Sequence, residues 1–348
     1  MKPILLHSCI LFYALFGIVT QVQAQTKLYW ADTNTIWRGN ANGTNPEQVL
    51  TGIDSLTAIA IDPIPQHLYW STQRQIWRSS LNGGNPELVF EGAQITDIAF
   101  DTIKKKIYLT HPMLRLDIES GQIDTISSHI FKRLTIEPET QILYGITAES
   151  LQYIPVDSTV NNAISIIIDN LSLEDLILAP QAKKVYWIDI VTNTIRRVNR
   201  DGSQVETVLD NGLFNIRGLT IDESNQKIYW TSKSVPRSEV STLYTANTDG
   251  SNIREVISVS SKGGWIQDMA FYFPTSPNQL LGDVNNDGNI DSRDAILVLR
   301  SIIKLEELNK DQLTSADVTG DGTIDSRDAT LILQRIINLI EKFPIETR

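Results

Sequence analysis

Two stretches near the C-terminus repeat one arrangement of oxygen-bearing side chains. "DVNNDGNIDSRD" begins at Asp283 and "DVTGDGTIDSRD" begins at Asp317. In both, side chains with oxygen atoms stand at positions 1, 3, 5, 9 and 12, and a glycine at position 6 permits a sharp turn. Hard oxygens at this spacing suit Ca²⁺, which takes about six to eight oxygen ligands, better than Mg²⁺. The sequence therefore predicts two Ca²⁺ ions, one in each loop.

The predicted metal ligands follow from that count, with the residue at position 7 offering its main-chain carbonyl. They are Asp283, Asn285, Asp287, Asn289, Asp291 and Asp294 in the first loop, and Asp317, Thr319, Asp321, Thr323, Asp325 and Asp328 in the second. Thr319 is a weaker ligand than Asn285, so the second loop is expected to bind less tightly. Ile290 and Ile324 are expected to point inward and pair. The alternative is a pair of Asp-Gly turns in a solvated acidic tail, and the duplication in phase argues against it.

Each loop leads into an apolar periodic segment that is typical of a helix. Pro274 and Pro277 disfavour a helix before the first loop, and position 12 is Asp where an ordinary EF-hand has Glu. A loop with an exiting helix, written twice, resembles the type I dockerin domain. The resemblance implies an EF-hand-like, calcium-binding module that docks on a cohesin module of a scaffolding or cell-surface protein.

The resemblance also implies which residues contact the partner. Loop positions 10 and 11 contact cohesin in dockerins, and basic residues further along the helices contribute. The residues at these places are Ser292, Arg293, Arg300, Ser326, Arg327 and Arg335. The same Ser-Arg pair in both halves suits a nearly two-fold module that binds in two orientations. The leucines of the helices, Leu297, Leu299, Leu331 and Leu333, are expected to form the core and interface stripe.

Upstream, a tyrosine recurs about every forty residues within a short apolar run, as in a repeat protein. The six positions are Tyr29, Tyr69, Tyr108, Tyr144, Tyr186 and Tyr229. A second apolar run lies about ten residues before most of them, and Asn-Gly or Asp-Gly pairs after them predict two-residue hairpins. Four short strands in each unit are typical of a β-propeller blade. Chance tyrosines in a β-sandwich are the alternative, which six recurrences in phase disfavour.

The "YW" pairs carry a second resemblance. Residues 27–273 resemble the six-bladed propeller with YWTD repeats found in low-density lipoprotein receptors. The tryptophans are followed by Ala31-Asp32, Ser71-Thr72, Ile188-Asp189 and Thr231-Ser232 rather than by the Thr-Asp of the signature, and Leu109 and Gly145 replace the tryptophan in two units. The resemblance therefore implies that the inter-blade polar contacts made by the aspartate of the signature are only partly kept. The chain enters with a second-strand pattern and leaves the repeats with a first-strand pattern from Ile266. The last strand is therefore expected to complete the first blade, which removes open edges.

The tryptophans of the Tyr-Trp pairs are expected to pack between blades, and Trp37 and Trp77 are expected to be structural. Ligand contacts are therefore expected at other residues. The candidates are rim residues at one face of the propeller: Arg74, His111, Phe214, Asn215 and Trp265. An aromatic side chain there could stack on a sugar or anchor a protein. The four histidines fall in no recognised catalytic motif, and a carboxylate pair for glycoside hydrolysis is invisible in a sequence.

Composition and the N-terminus place the chain outside the cytoplasm. Lys2, an apolar run and Val22-Gln23-Ala24 predict a cleaved signal peptide, and the single cysteine, Cys9, would be removed with it. The net charge of −11 argues against nucleic acid as a partner, and no later segment could span a membrane. The predicted domains are a signal peptide (1–24), a propeller (25–273), a linker (274–281) and a dockerin (282–348).

The fold class expected is mainly β, a six-bladed propeller with a small α-helical dockerin. The favoured function is a secreted, non-catalytic binding or scaffold propeller, tethered by its dockerin to a cohesin-bearing assembly, with an unknown protein or glycan on the propeller. The alternative is a dockerin-borne enzyme of polysaccharide catabolism, a glycosyl hydrolase or a lactonase-like protein, with its active site on the propeller.

Overall fold

The computed structural model describes residues 26–63, 66–92, 94–156, 165–169, 172–210, 215–232, 240–260, 266–272, 281–285, 290–308 and 310–347. Six antiparallel four-stranded sheets occupy the N-terminal part of this range. The predicted signal peptide and nearly all of the predicted linker lie outside the described residues.

Each sheet is one blade, named here by its order along the chain. Blade 1 contains β1 (Lys27–Ala31), β2 (Thr35–Asn40), β3 (Glu47–Thr51) and the last strand of the repeat region, β24 (Asp268–Tyr272). Blade 2 contains β4 (Ala58–Asp62), β5 (His67–Ser71), β6 (Gln75–Ser80) and β7 (Glu87–Glu91). Blade 3 contains β8 (Ile98–Asp101), β9 (Lys106–Leu109), β10 (Met113–Asp117) and β11 (Ile123–Ser127).

The other three blades follow the same order from the inner to the outer strand. Blade 4 contains β12 (Arg133–Glu137), β13 (Ile142–Ile146), β14 (Leu151–Pro155) and β15 (Ser165–Ile168). Blade 5 contains β16 (Leu173–Ala179), β17 (Lys184–Asp189), β18 (Thr194–Asn199) and β19 (Glu206–Leu209). Blade 6 contains β20 (Ile216–Asp222), β21 (Lys227–Ser232), β22 (Val240–Asn247) and β23 (Arg254–Ser260).

The ring closes as the sequence predicts. Strand β24 pairs with β1 in the register Lys27 to Tyr272 and Ala31 to Asp268. The inner strands β4, β8, β12, β16, β20 and β24 contact one another in a closed circuit. Both ends of the repeat region are therefore fixed within one sheet, which removes an exposed edge.

Apolar clusters fill the spaces between neighbouring blades. Tyr29 packs with residues of blade 2, whereas Trp30 on the opposite face of the same strand packs with residues of blade 6. The alternation of side chains along a strand explains why one short motif serves two interfaces. Trp37 and Trp77 stack on Trp30 and Trp70, with ring centroids 6.3 Å apart in both pairs. These four tryptophans pack within and between blades, as expected.

The Asn-Gly signals mark turns, but the expectation of two-residue hairpins is wrong. Strand β2 ends at Asn40 and β3 begins only at Glu47. The Gly43 N–H donates to the Asn40 carbonyl at 2.8 Å, and Gly43 has φ +85°. A Cβ at Gly43 would lie 2.1 Å from the Val256 carbonyl oxygen of blade 6. The longer connection therefore seats its glycine against the neighbouring blade.

The C-terminal part contains three helices. They are α1 (Ser292–Ile302), α2 (Lys310–Ala316) and α3 (Ser326–Ile336), and a short 3-10 turn follows at Pro344–Thr347. Helix α2, which the sequence analysis does not predict, leads directly into the second loop. Ile290 and Ile324 both pack against the apolar cluster shared by α1 and α3, in agreement with their predicted inward orientation.

Candidate calcium loops, partner surface and propeller channel

The second loop is organised around the carboxylate at its first position. Asp317 Oδ1 accepts N–H groups of Gly320 at 2.8 Å and Asp321 at 3.2 Å, and Oδ2 accepts the N–H of Gly322 at 2.9 Å. The Thr319 hydroxyl lies 3.1 Å from Asp317 Oδ1. Gly322, at position 6, has φ +79°, where glycine is favoured. The predicted turn is thus present, and positions 1 and 3 meet inside it.

The carboxylate at position 12 returns to the start of the same loop. Asp328 is fully buried and accepts the N–H of Thr319 at 3.0 Å and that of Asp325 at 2.9 Å. Burial raises the pKa of Asp328, the two N–H donors lower it, and the charge of Asp317 raises it again. Two neighbouring like charges, Asp328 fully buried and Asp317 half-buried, favour a bound cation.

The described part of the first loop has the same arrangement. Asp283 and Asp294 are fully buried. Asp294 accepts the N–H of Asn285 at 2.9 Å and that of Asp291 at 2.8 Å. Burial raises the pKa of Asp294, and the Asp283 charge adds to that rise. The predicted ligands Asp287 and Asn289 lie outside the described residues.

No group of three or more His, Cys, Asp or Glu side chains converges on one point within the described ranges. In the second loop, both carboxylate oxygens of Asp321 have other partners. Oδ2 lies 2.5 Å from Arg327 Nη2, and Oδ1 accepts the N–H of Thr323 at 3.0 Å. The donor set nevertheless fits Ca²⁺, since it consists of carboxylate and hydroxyl oxygens around two mutually repelling carboxylates.

Helices α1 and α3 begin at the loops, and each has the loop residue at position 9 as its N-cap. Asp291 and Asp325 accept the N–H of Arg293 and Arg327 at 2.8 Å and 2.7 Å. Both caps are capping boxes, because the position-12 carboxylate bonds back to the N-cap N–H. The same carboxylate therefore closes the loop and starts the helix.

Both helices expose one face that carries the predicted partner residues. The side chains of Arg293 and Arg327 are each 62% exposed. Apolar side chains accompany them, with Ile303 at 64% and Ile337 at 70% exposure. Ser292, Ser326 and Arg300 are also exposed. Arg335 is half-buried, and its Nη1 lies 3.5 Å from the Ile340 carbonyl oxygen.

The described rim residues, Arg74, His111 and Asn215, lie on separate blades at one face of the propeller. Arg74 is exposed in the β5–β6 turn, and Asn215 is exposed just before β20 with φ +46°. His111 is half-buried, 3.5 Å from the Thr96 hydroxyl, and burial lowers its pKa. Phe214 and Trp265 lie outside the described residues.

At this same face, three aspartates on alternate blades make three of the six connections between neighbouring inner strands. Asp268 accepts the N–H of Ile59 at 2.7 Å, joining blade 1 to blade 2. Asp97 joins blades 3 and 4 through the N–H of Leu134 at 2.8 Å, and Asp175 joins blades 5 and 6 through that of Leu219 at 2.7 Å. Among the described contacts, Asp32 and Asp189, which follow two of the Tyr-Trp pairs, accept hydrogen bonds within their own hairpins.

A single arginine from blade 4 balances these carboxylates. Arg133 lies 3.6 Å from Asp97 and 3.9 Å from Asp175, and its N–H groups point to the carbonyls of Thr96 and Gln267. Burial raises the pKa of Asp97 to about 8 and that of Asp268 to about 7, against the lowering effect of Arg133. Asp97, Arg133, Asp175 and Asp268, named the channel group here, lie at the mouth of the channel that the ring of inner strands encloses, and they combine three carboxyl groups with one guanidinium group.

Comparison with protein families matches residues 281–337 to the dockerin type I domain. The chain carries a dockerin type I domain. Type I dockerin domains bind calcium and attach proteins to assemblies through cohesin modules.

Solved structures resemble the propeller in fold alone. One, titled "Crystal structure of Nidogen/Laminin Complex", is 16% identical with a TM-score of 0.60, and the match covers 72% of this chain and 99% of that one. A structure described as TolB from Agrobacterium tumefaciens is 17% identical with a TM-score of 0.57, covering 71% of this chain and 97% of that one. Both support the predicted mainly β, six-bladed architecture.

The dockerin also uses a C-terminal segment that the sequence analysis gave no role. Phe343 and Ile345 are almost fully buried. A Cβ at Gly282, just before the first loop, would lie 2.8 Å from the Phe343 ring, and one at Gly320 would lie 2.7 Å from Ile345. The segment thus packs on both loops. The signal for it was two apolar residues in an otherwise polar tail.

The channel group was also missed, although its positions are equivalent in every repeat. Each stands one residue before the inner-strand residue that pairs with the tryptophan position of the second strand; the six residues are Ala58, Asp97, Arg133, Asp175, Gly218 and Asp268. Aligning the six repeats and comparing the charge of the residues at this one position would have identified them. Within the described residues no helix is long and apolar enough to cross a membrane.

Proposed function

We propose that this protein is a secreted binding or scaffold propeller, attached through its calcium-loaded dockerin to a cohesin on a scaffolding or cell-surface protein. The dockerin match carries the proposal. The exposed faces of α1 and α3, each with a Ser-Arg pair at its start, support it. An apolar centre with an arginine beside it is the usual composition of a protein interface.

Two calcium ions complete the dockerin in this proposal, one in each loop. Asp283, Asn285, Asp291 and Asp294 would serve the first, together with Asp287 and the Asn289 carbonyl; Asp317, Thr319, Asp321, Asp325, Asp328 and the Thr323 carbonyl would serve the second. A bound Ca²⁺ supplies the positive charge that the buried carboxylates lack. The loops orient α1 and α3 because the position-12 carboxylates also close the capping boxes.

The two helix faces are proposed to offer equivalent docking orientations. Ser292 and Arg293 on α1 correspond to Ser326 and Arg327 on α3, at the same distance from their loops. Arg300 is exposed on α1, whereas Arg335 is half-buried at the end of α3. Arg300 therefore supports the α1 orientation more than Arg335 supports the α3 orientation.

The propeller is proposed to bind a protein or glycan rather than to catalyse a reaction. The channel carboxylates support this choice, because Asp97, Asp175 and Asp268 already accept main-chain N–H groups of neighbouring blades. Arg74, His111 and Asn215, at the face where these strands begin, are the described candidates for ligand contact, with Phe214 and Trp265 completing the predicted rim.

The attachment is tested with the full-length protein and a panel of purified type I cohesin modules, with and without EGTA. We expect saturable binding that EGTA abolishes and that the double variant Arg293→Gln/Arg327→Gln loses. The double variant Arg74→Gln/Arg254→Gln, on the propeller, is the matched control and is expected to bind normally. Failure of all cohesins to bind in Ca²⁺ would overturn the proposed attachment.

The propeller's role is tested by glycan-array binding and by a hydrolase and lactonase screen on the same protein. Saturable binding without turnover is expected. Turnover that disappears when one acidic side chain at the channel mouth is neutralised would instead establish the enzymatic alternative.

A further inference from the structure

Arg327, a predicted partner contact, already has two carboxylates of its own loop as partners. Its Nε lies 3.2 and 3.0 Å from the two carboxylate oxygens of Asp325. Its Nη2 lies 2.8 Å from Asp325 Oδ2 and 2.5 Å from Asp321 Oδ2. One guanidinium group therefore bridges loop positions 5 and 9.

The same two positions belong to the ligand set of the second calcium loop. Asp321 uses Oδ1 to accept the N–H of Thr323 at 3.0 Å, so Arg327 occupies its other oxygen. A cation at the loop centre and the guanidinium are attracted by the same carboxylate charge. Each must weaken the attraction of the other, because like charges that share a carboxylate repel.

We propose that Arg327 is an internal counter-ion of the second loop, which Ca²⁺ binding loosens, so that calcium makes this arginine available to the partner. The proposal rests on the proposed cohesin attachment for its second step only. Its first step concerns the loop alone.

Linkage makes the coupling reciprocal. If calcium frees Arg327 for the partner, a partner that engages Arg327 must tighten calcium binding by the same factor. The Arg327 side chain is 62% exposed, so it can move from the loop to a partner surface without first being uncovered. Arg293 bonds to Asp291, its own position 9, with Nη2 at 2.6 Å, which makes the first loop a parallel case.

The first step is tested by calorimetric titration of Ca²⁺ into the full-length protein, comparing wild type with Arg327→Gln. We expect one of the two calcium affinities to rise about two- to five-fold, the size typical of an exposed ion pair. The gain should shrink at high salt, where such pairs are screened. Lys342→Gln, with the same charge change at an exposed position near the end of the dockerin, is the matched control and should titrate like wild type.

Two results would overturn this step. An unchanged affinity would show that Arg327 does not compete with the ion. A weakened affinity that is independent of salt would show that Arg327 merely holds the loop in shape.

The second step uses a purified cohesin module at saturating Ca²⁺. The comparison is made in an Arg293→Gln background, so that docking depends on α3. Adding Arg327→Gln should weaken binding at least ten-fold and reduce the tightening of Ca²⁺ by cohesin. Unchanged binding would overturn the release to the partner. If wild type binds no cohesin, the attachment fails, whereas the calcium titration still decides the first step.

Discussion

The propeller and the dockerin are both built from repeated units, but they differ in the groups that stabilise their carboxylates. In the propeller, the surplus carboxylates of Asp97, Asp175 and Asp268 are held by main-chain N–H groups of the next blade and by Arg133. In the dockerin, Asp317 and Asp328 are held by N–H groups of their own loop, with no buried cation among the described contacts. The propeller therefore balances these carboxylates with its own groups, whereas the proposed calcium ions would balance those of the dockerin.

Removing calcium is expected to produce the largest difference between the two regions. With EGTA, we expect residues 281–347 to lose their protection from hydrogen exchange, because metal-binding energy is folding energy in such small domains. The blades should keep theirs. Hydrogen-exchange mass spectrometry of the full-length protein measures both at once, and equal protection with and without EGTA would contradict the comparison.

Removing the channel arginine should affect the propeller alone. Arg133→Met leaves three buried carboxylates without their cation, which should lower the free energy of unfolding by about 3–5 kcal/mol. Arg254→Met, at an exposed position of β23, is the control, expected to change it by less than about 0.5 kcal/mol. Urea unfolding followed by tryptophan fluorescence reports on the blades. Equal effects of the two substitutions would rule out a charge-balancing role for Arg133.

The channel should also make propeller stability depend on pH. The pKa of Asp97 is raised to about 8 and that of Asp268 to about 7, mainly by burial. The folded state therefore keeps protons that the unfolded chain releases above about pH 4, so the free energy of unfolding should fall as pH rises from about 4 to 8. The slope for one proton is about 1.4 kcal/mol per pH unit.

Asp97→Asn tests that slope directly. The amide oxygen can still accept the N–H of Leu134, but the side chain cannot ionise, so unfolding between pH 5 and 8 should depend less on pH than in wild type. Identical slopes in urea titrations would show that Asp97 keeps its charge throughout.

The smallest effect on folding is expected from the exposed stripe of the dockerin. Leu299 is 43% exposed, so Leu299→Ser should change dockerin stability by less than about 0.5 kcal/mol, and Leu333→Ser should do the same. Together they should weaken cohesin binding at saturating Ca²⁺. Leu297, which packs against the core cluster, is the matched control, since Leu297→Ser should lower the thermal stability of the dockerin. An unstable Leu299→Ser variant would place this leucine in the core instead.

Local patterns were the predictable part of this protein. The blade period, the closing strand from Ile266, and the loop with glycine at position 6 follow from short-range rules of turns and strands. The connections that contain Asn42 and Asp201 are longer than the two residues predicted. The glycine in each contacts the neighbouring blade, and a local pattern does not show that contact. Helix α2 was missed because its seven residues carry little periodicity.

The sequence by itself determined the number of blades, the two acidic loops and the position of the Ser-Arg pairs, since each depends on residues close together in the chain. Only the tertiary structure decided which charges meet. Asp97, Arg133, Asp175 and Asp268 come from four different blades and converge where the inner strands begin. Phe343 and Ile345 reach back to the loops in the same way. Distances between distant residues are set by closing the ring and packing the helices, which no local pattern encodes.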